Sequence, residues 1–290
     1  MCGIVGFLDS GPNSTADFRP IVYAMSAALS HRGPDDEGAW IDADSRLVLG
    51  FRRLSILELS QDGHQPMLSP CGRYAVVFNG ELYNHQELRK ELSTHFPETL
   101  SGVRGHSDTA VLLASVRAWG FENALKRFVG MFAISLWDRK DQTLFLARDR
   151  AGEKPLYFGW NRQVFYFASE LSAICAHPTF SGTIDAEAFR HYVNFNVVSA
   201  PLSIYEGIFK LPAGHWLALP LKALGERPSD FDPALAPQRY WEVARSHPMT
   251  PPDESTFLPD LKARLAEAVR LQMLADVPVG AFLSGGIDSS

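Results

Sequence analysis

Met1-Cys2-Gly3-Ile4-Val5-Gly6-Phe7-Leu8 opens the chain with a thiol one residue behind the initiator methionine and an apolar run directly after it. Ile4–Leu8 reads as a short strand that emerges from the N-terminus itself. The small second side chain permits Met1 to be clipped, and Cys2 then carries a nucleophilic sulfur and a free α-amine on one residue. An α-amine titrates at about 7.7–8.0, so at neutral pH it can serve as general base for its own thiol. Thr paired with an N-terminal amine activates a nucleophile in this way, and Cys can use the same geometry. Met-Cys alone also fits an ordinary small residue after the start; the residues downstream decide between the two.

Phe18 to Leu29 has helical apolar spacing (Ile21, Val22, Met25, Leu29) and stops at His31-Arg32-Gly33-Pro34. Strands are expected at Leu47–Phe51 and Tyr74–Phe78, helices at His85–Leu92 and Thr109–Trp119. A dense set of strands follows at Phe132–Trp137, Thr143–Ala147, Leu156–Gly159 and Val164–Ala168. Many strands interrupted by helical blocks predict an α+β layering, with helices packed outside sheets. Proline punctuates the chain from Pro201 to Pro252, which reads as an ordered but irregular connector. Phe257–Leu274 is an amphipathic helix. Asp276–Leu283 reads as a buried strand feeding the turn Ser284-Gly285-Gly286-Ile287-Asp288-Ser289. Helix, strand and Gly-rich turn predict the beginning of an α/β domain that is cut off almost at once. The predicted division is therefore 1–200, a connector at 201–252, and the start of a second domain at 253–290.

The 290 residues suffice for one large domain or two. A net charge of -6 without a basic run argues against nucleic acid or anionic membrane as the main partner. Three widely spaced cysteines, Cys2, Cys71 and Cys175, suggest neither a disulfide framework nor a zinc site. No basic, apolar leader is visible, and no apolar run approaches the roughly 20 residues that span a bilayer. A cytoplasmic protein is expected.

Four further stretches carry chemistry. In Ser284–Ser289 glycines let backbone N–H groups approach an anion, while a following helix would add its dipole; a plain strand-to-helix turn is the other reading. The Lys of a Walker loop is absent, and the pattern SGGxDS matches instead the pyrophosphate loop of ATP-dependent adenylating ligases. Asn79-Gly80, after an apolar strand, could form an oxyanion hole from a side-chain amide and a backbone N–H, although Asn-Gly often marks only a turn. An Arg in Phe51-Arg52-Arg53-Leu54 could clamp a carboxylate, or simply be solvated. Ser107-Asp108 heads a helix and caps it whatever else it does.

Taken in order, Met1-Cys2-Gly3-Ile4-Val5-Gly6, His31-Arg32-Gly33-Pro34-Asp35, Arg53-Leu54-Ser55-Ile56, Asn79-Gly80-Glu81, Ser107-Asp108, Ala147-Arg148-Asp149 with Lys154-Pro155-Leu156-Tyr157, and the final SGGIDSS resemble the glutamine-hydrolysing asparagine synthetases along the whole chain. The resemblance implies an N-terminal-nucleophile αββα four-layer sandwich with glutaminase activity, a type II glutamine amidotransferase. Cys2 would attack the glutamine amide and form a thioester, its α-amine relaying protons. Asn79 and the Gly80 N–H would hold the oxyanion. Arg53 would take the α-carboxylate and Asp108 the α-ammonium; backbone at Leu54, Ser55, Ile56 and Leu57, together with Gly80 and Glu81, would complete the pocket. His31–Asp35 would be a loop near the pocket with a structural role, and Asp149, Arg150 and Lys154 are expected to support the fold. Leu283, Ser284, Gly285, Gly286, Asp288 and Ser289 would begin an ATP site, with Asp288 a partial Mg²⁺ ligand. ATP and Mg²⁺ would serve the synthetase half of a longer parent, while the glutaminase half needs no cofactor. The acceptor carboxylate would be aspartate, with a sugar acid or a peptide as alternatives. A glutamine-binding module without turnover, or an N-terminal-nucleophile hydrolase acting on another amide, are the rival readings. Whether two copies pair as a homodimer is left open.

Overall fold

A computed structural model describes residues 1–11, 17–224, 236–244 and 253–287. Strands β1 (Gly3–Asp9), β2 (Asp36–Asp42) and β3 (Leu47–Arg53) are followed by β4 (Met67–Leu68) and β5 (Tyr74–Leu82). Then come β6 (Gly130–Asp138), β7 (Thr143–Arg148), β8 (Tyr157–Asn161), β9 (Val164–Ala168), β10 (Ile208–Lys210), β11 (His215–Pro220) and β12 (Gln238–Arg239). The helices are α1 (Phe18–Ala27), α2 (His85–His95), α3 (Pro97–Leu100), α4 (Asp108–Trp119), α5 (Phe121–Arg127), α6 (Leu171–Cys175), α7 (Ala186–Phe195) and α8 (Glu254–Gln272). Two six-stranded sheets result, ordered β10-β8-β9-β1-β3-β2 and β12-β11-β7-β6-β5-β4, and all their pairings are antiparallel.

Side-chain alternation along each strand sorts the apolar residues into three cores. On β1, Ile4 and Leu8 face the gap between the sheets, while Val5 and Phe7 face the layer of α1 and α6. On β5, Ala75 and Val77 face the same gap, while Tyr74, Val76 and Phe78 pack on α2, α4 and α5. Helix, sheet, sheet and helix thus stack as four layers, the αββα order expected from the sequence. Both outer faces of the sheet pair are apolar because helices cover them, which is why β1 and β5 read as nearly continuous hydrophobic runs.

Two parts of the sequence reading differ from the structure. The proline-punctuated stretch is not a mere connector: β10 pairs with β8, and β11 joins β7 and β12, so it completes both sheets. Proline is tolerated there because the strands are short and near the sheet edges. Residues 276–283 form no strand and are largely exposed, with Phe282 and Leu283 in solvent. A buried strand needs neighbours to pair with, and the described residues supply none at that position.

Candidate active site

The alternation that builds the core also builds the site. Cys2 precedes Ile4 by two residues, Arg53 follows Phe51 by two, and Asn79 follows Val77 by two. Ile4, Phe51 and Val77 all face the gap between the sheets. Their neighbours therefore point into the same gap, at the end where β1, β3 and β5 come together. A cavity of about 70 Å³ lies there, and Cys2, Arg53, Asn79, Glu81 and Asp108 are on its wall.

The Cys2 thiol is held against the β3 terminus: Sγ donates to the Leu54 carbonyl at 3.6 Å and accepts from the Leu54 N–H at 3.4 Å. Burial pushes the thiol up from its ordinary value, so a neighbouring base is needed to form the thiolate. Burial also pulls the terminal amine of Met1 below its ordinary value. Arg32, itself buried, donates from Nε to the Cys2 carbonyl at 2.9 Å and is anchored by Glu170 at 2.8 Å. The Ile4 N–H donates to Ser169 Oγ at 3.0 Å. The first residues are thus fixed from three sides.

Asn79 lies within β5, paired opposite Ala133, so Asn79-Gly80 is strand and not turn. Its side chain is 1% exposed, and Nδ2 finds no hydrogen-bond partner among the described residues. Gly80 is required by a close approach: a Cβ there would collide with the Met131 carbonyl oxygen. Arg53 is buried and donates to the carbonyls of Ser60 (3.2 Å), Leu57 (3.4 Å) and Glu58; among the described residues no carboxylate pairs with it. Asp108 is buried at the start of α4, where its carboxylate accepts from the Leu82 N–H at 2.9 Å and the Thr109 N–H at 2.8 Å. Burial drives its carboxyl up from the ordinary range. Ser107 caps α4, accepting from the Ala110 N–H at 3.2 Å. Glu81 is pushed up to about 7, first by burial and then by the nearby Asp108 charge.

Leu54, Ile56 and Leu57 reach the cavity wall and Ser55 does not; the Ser55 N–H is taken by Asp35 at 2.8 Å. That bond makes Asp35, with Arg32, a support of the site. Asp149 accepts from the backbone of Phe132, Ala151, Glu153 and Lys154 and so shapes the turn after β7, in line with a fold-supporting role. Lys154 does more than that. Its Nζ reaches Met1 Sδ at 3.3 Å and lines the cavity. Glu170 escapes sequence reading, and the contacts of Arg32 and Lys154 with the first two residues do too, because their partners are far along the chain.

Leu283, Ser284, Gly285 and Gly286 lie elsewhere, in an exposed segment where Ser284 Oγ accepts from the Gly286 N–H at 3.3 Å. Asp288 and Ser289 lie outside the described residues. Space around Gly285 is open, and among the described residues no cluster of acidic, His or Cys side chains could hold a metal ion. Among the described residues no helix is long and apolar enough to cross a membrane.

Residues 1–230 match the family model described as "Glutamine amidotransferase domain". The chain belongs to the glutamine amidotransferase family. Residues 260–290 match a second family model, "Asparagine synthase". An amidotransferase domain followed by the start of an asparagine synthase domain is the order read from the motifs. Among curated relatives, "Asparagine synthetase [glutamine-hydrolyzing] 1" of Bacillus subtilis is 35% identical across the whole chain, which covers 43% of that protein. "Amidase chry2" of Gibberella zeae is 31% identical, again across the whole chain, covering 42% of that protein. The amidotransferase chain therefore spans about half the length of the curated relatives it matches. Among solved structures, the glutamine phosphoribosylpyrophosphate amidotransferase of B. subtilis aligns over 83% of this chain and 50% of its own, at 18% identity and a TM-score of 0.54. That likeness shows a shared fold, the αββα sandwich.

Proposed function

We propose that this chain hydrolyses glutamine to glutamate and ammonia through a thioester on Cys2. One observation carries the reading: a half-buried thiol and, among the described residues, an amide N–H₂ without a hydrogen-bond partner and a guanidinium without a carboxylate share one cavity between the sheets. A zwitterionic amino acid with a side-chain amide fits that set. Arg53 supplies charge for the α-carboxylate, while Asp108 and Glu81 supply it for the α-ammonium. With Met1 removed, the Cys2 amine takes the thiol proton as sulfur attacks the amide carbon. Asn79 Nδ2 and the Gly80 N–H stabilise the oxyanion. The amine returns the proton to the leaving nitrogen, ammonia departs, and water then cleaves the thioester to glutamate and free Cys2.

Two features favour this over a binding module without turnover: the thiol sits at the cavity wall, and Asn79 Nδ2, from a residue on the same wall, has no hydrogen-bond partner among the described residues. Delivery of the ammonia to a carboxylate activated by ATP and Mg²⁺ belongs to a longer parent. Aspartate is our acceptor on the strength of the relatives' names; the amidase relative keeps other acceptors in view. The test is release of glutamate and ammonia, in equal amounts, from glutamine by the Met1-free chain, and its loss in Cys2→Ala. A Met1-free chain that binds glutamine without producing either would sink the reading.

A further inference from the structure

Glu58 occupies a joint that the reaction scheme leaves unexplained. Its backbone is in the left-handed region, φ 56°, which a residue with a side chain holds only when its surroundings fix it. Every polar group of Glu58 is in use. The carbonyl accepts from Arg53, and the carboxylate accepts from Ser60 Oγ at 2.6 Å and from the His106 N–H at 2.8 Å. The Glu58 N–H donates to Asp276 Oδ2 at 2.7 Å. Asp276 lies beyond α8, eight residues before Ser284. Its own N–H donates to the Ile56 carbonyl at 2.9 Å, so one residue grips the 56–58 backbone at both ends. The His106 ring bridges the pair, with Nδ1 2.9 Å from Glu58 Oε2 and Nε2 2.8 Å from Asp276 Oδ2. Ile56 and Leu57 line the glutamine cavity, and the Leu57 carbonyl is a second acceptor for Arg53.

We propose that Asp276 is a positioning residue for the amino-acid pocket: by clamping Ile56 and Glu58 it fixes the loop that aims the Arg53 guanidinium. Glutamine affinity is thereby set in part by the segment leading into the Gly-rich turn. A movement of that segment reaches Arg53 through two hydrogen bonds and one residue. This rests on the glutaminase reading for its substrate but not for its structural content.

The experiment compares the Met1-free 290-residue chain with Asp276→Ala and Asp276→Asn, by steady-state hydrolysis and by amide hydrogen exchange. Loss of the charged acceptor in Asp276→Ala should raise KM for glutamine about tenfold, with kcat within about threefold, and should speed exchange at Glu58. Asp276→Asn, whose amide oxygen still accepts from the Glu58 N–H, should recover most of the affinity. The decisive comparison is 4-aminobutanamide, which lacks the α-carboxylate and so makes no use of Arg53; its KM should not move. A purely structural lesion would weaken both substrates alike, and that result overturns the proposal. So does a Glu58 exchange rate and glutamine KM within twofold of the parent. Should Asp276→Ala lose its thermal transition, His106→Ala carries the same comparison, with an expected KM rise of about threefold. A parent chain that hydrolyses no glutamine overturns the glutaminase reading by itself, and exchange at Glu58 then decides the positioning role.

Discussion

Replacing Asn79 by Ala separates what the fold needs from what the reaction needs. In most cores, truncating a buried polar residue is destabilising because its hydrogen bonds are lost. Here Nδ2 is buried and finds no partner among the described residues, so the native state carries an unmet donor that costs about 1–3 kcal/mol. Truncation removes that cost, against a smaller loss of packing at a residue that already borders a cavity. The net expectation is a gain of roughly 1 kcal/mol, which moves the melting temperature up by about 2–4 °C in a protein of this size class. Catalysis moves the other way: one missing oxyanion donor costs about 2.7–4 kcal/mol of transition-state stabilisation, a fall in kcat of about 10²–10³ with little change in KM. Calorimetric melting and initial rates of ammonia release, measured on the same preparation, read both quantities. The reasoning fails if Asn79→Ala melts more than about 5 °C lower, which would show that Nδ2 supports the fold. It fails equally if KM alone rises, which would place the amide on the ground-state substrate.

Cys2→Ala should abolish hydrolysis while glutamine still binds by calorimetry; Cys71→Ser and Cys175→Ser, at exposed positions, should stay within a few-fold of the parent. Equal loss in all three would remove any special role for Cys2. Arg53→Ala and Asp108→Ala should weaken glutamine binding and erase discrimination against analogues lacking the α-carboxylate and the α-amine, respectively; unchanged discrimination would mean the clamp is misassigned. Glu81, raised to about 7, is charged above that pH and neutral below it. Its attraction for the α-ammonium is therefore present on the alkaline side and lost as pH falls, so kcat/KM should drop through an ionisation near 7 that disappears in Glu81→Gln. A profile identical in both proteins would exclude Glu81 as the source.

Local pattern carried the sequence reading far where partners are near or the alternation is strict. The strands at Ile4–Leu8, Leu47–Phe51 and Tyr74–Phe78 were legible from their apolar runs, whereas the convergence of Cys2, Arg53 and Asn79 beyond those runs was read only through the family resemblance. The capping of α4 by Ser107 was equally legible. What was not legible depends on contacts between distant residues. Arg32 reaches Cys2 and Glu170, Asp35 reaches Ser55, and Asp276 reaches Glu58, with no local signature in any of these cases. The strands β10 and β11 were hidden for the same reason: prolines dominate their surroundings, and the partners that make them strands lie in β8 and β7. Residues 276–283 failed in the opposite sense, since an apolar run predicts a strand only where a sheet waits to receive it.

The place of β1 inside its sheet has a consequence for how the protein is made. It lies between β9 and β3, so its final setting requires Ala168 to have left the ribosome. At about 5–20 residues per second, that leaves the N-terminus unpaired with β9 for roughly 8–30 s after its own synthesis. Afterwards the Met1–Cys2 bond lies at the cavity, with the Cys2 carbonyl held by Arg32 and the Met1 sulfur by Lys154. The consequence is a comparison of rates: Met1 is 57% exposed but held through its sulfur by Lys154, so a methionine aminopeptidase should remove it faster from the growing polypeptide than from a folded, Met1-bearing chain, which the mass of the N-terminus reads.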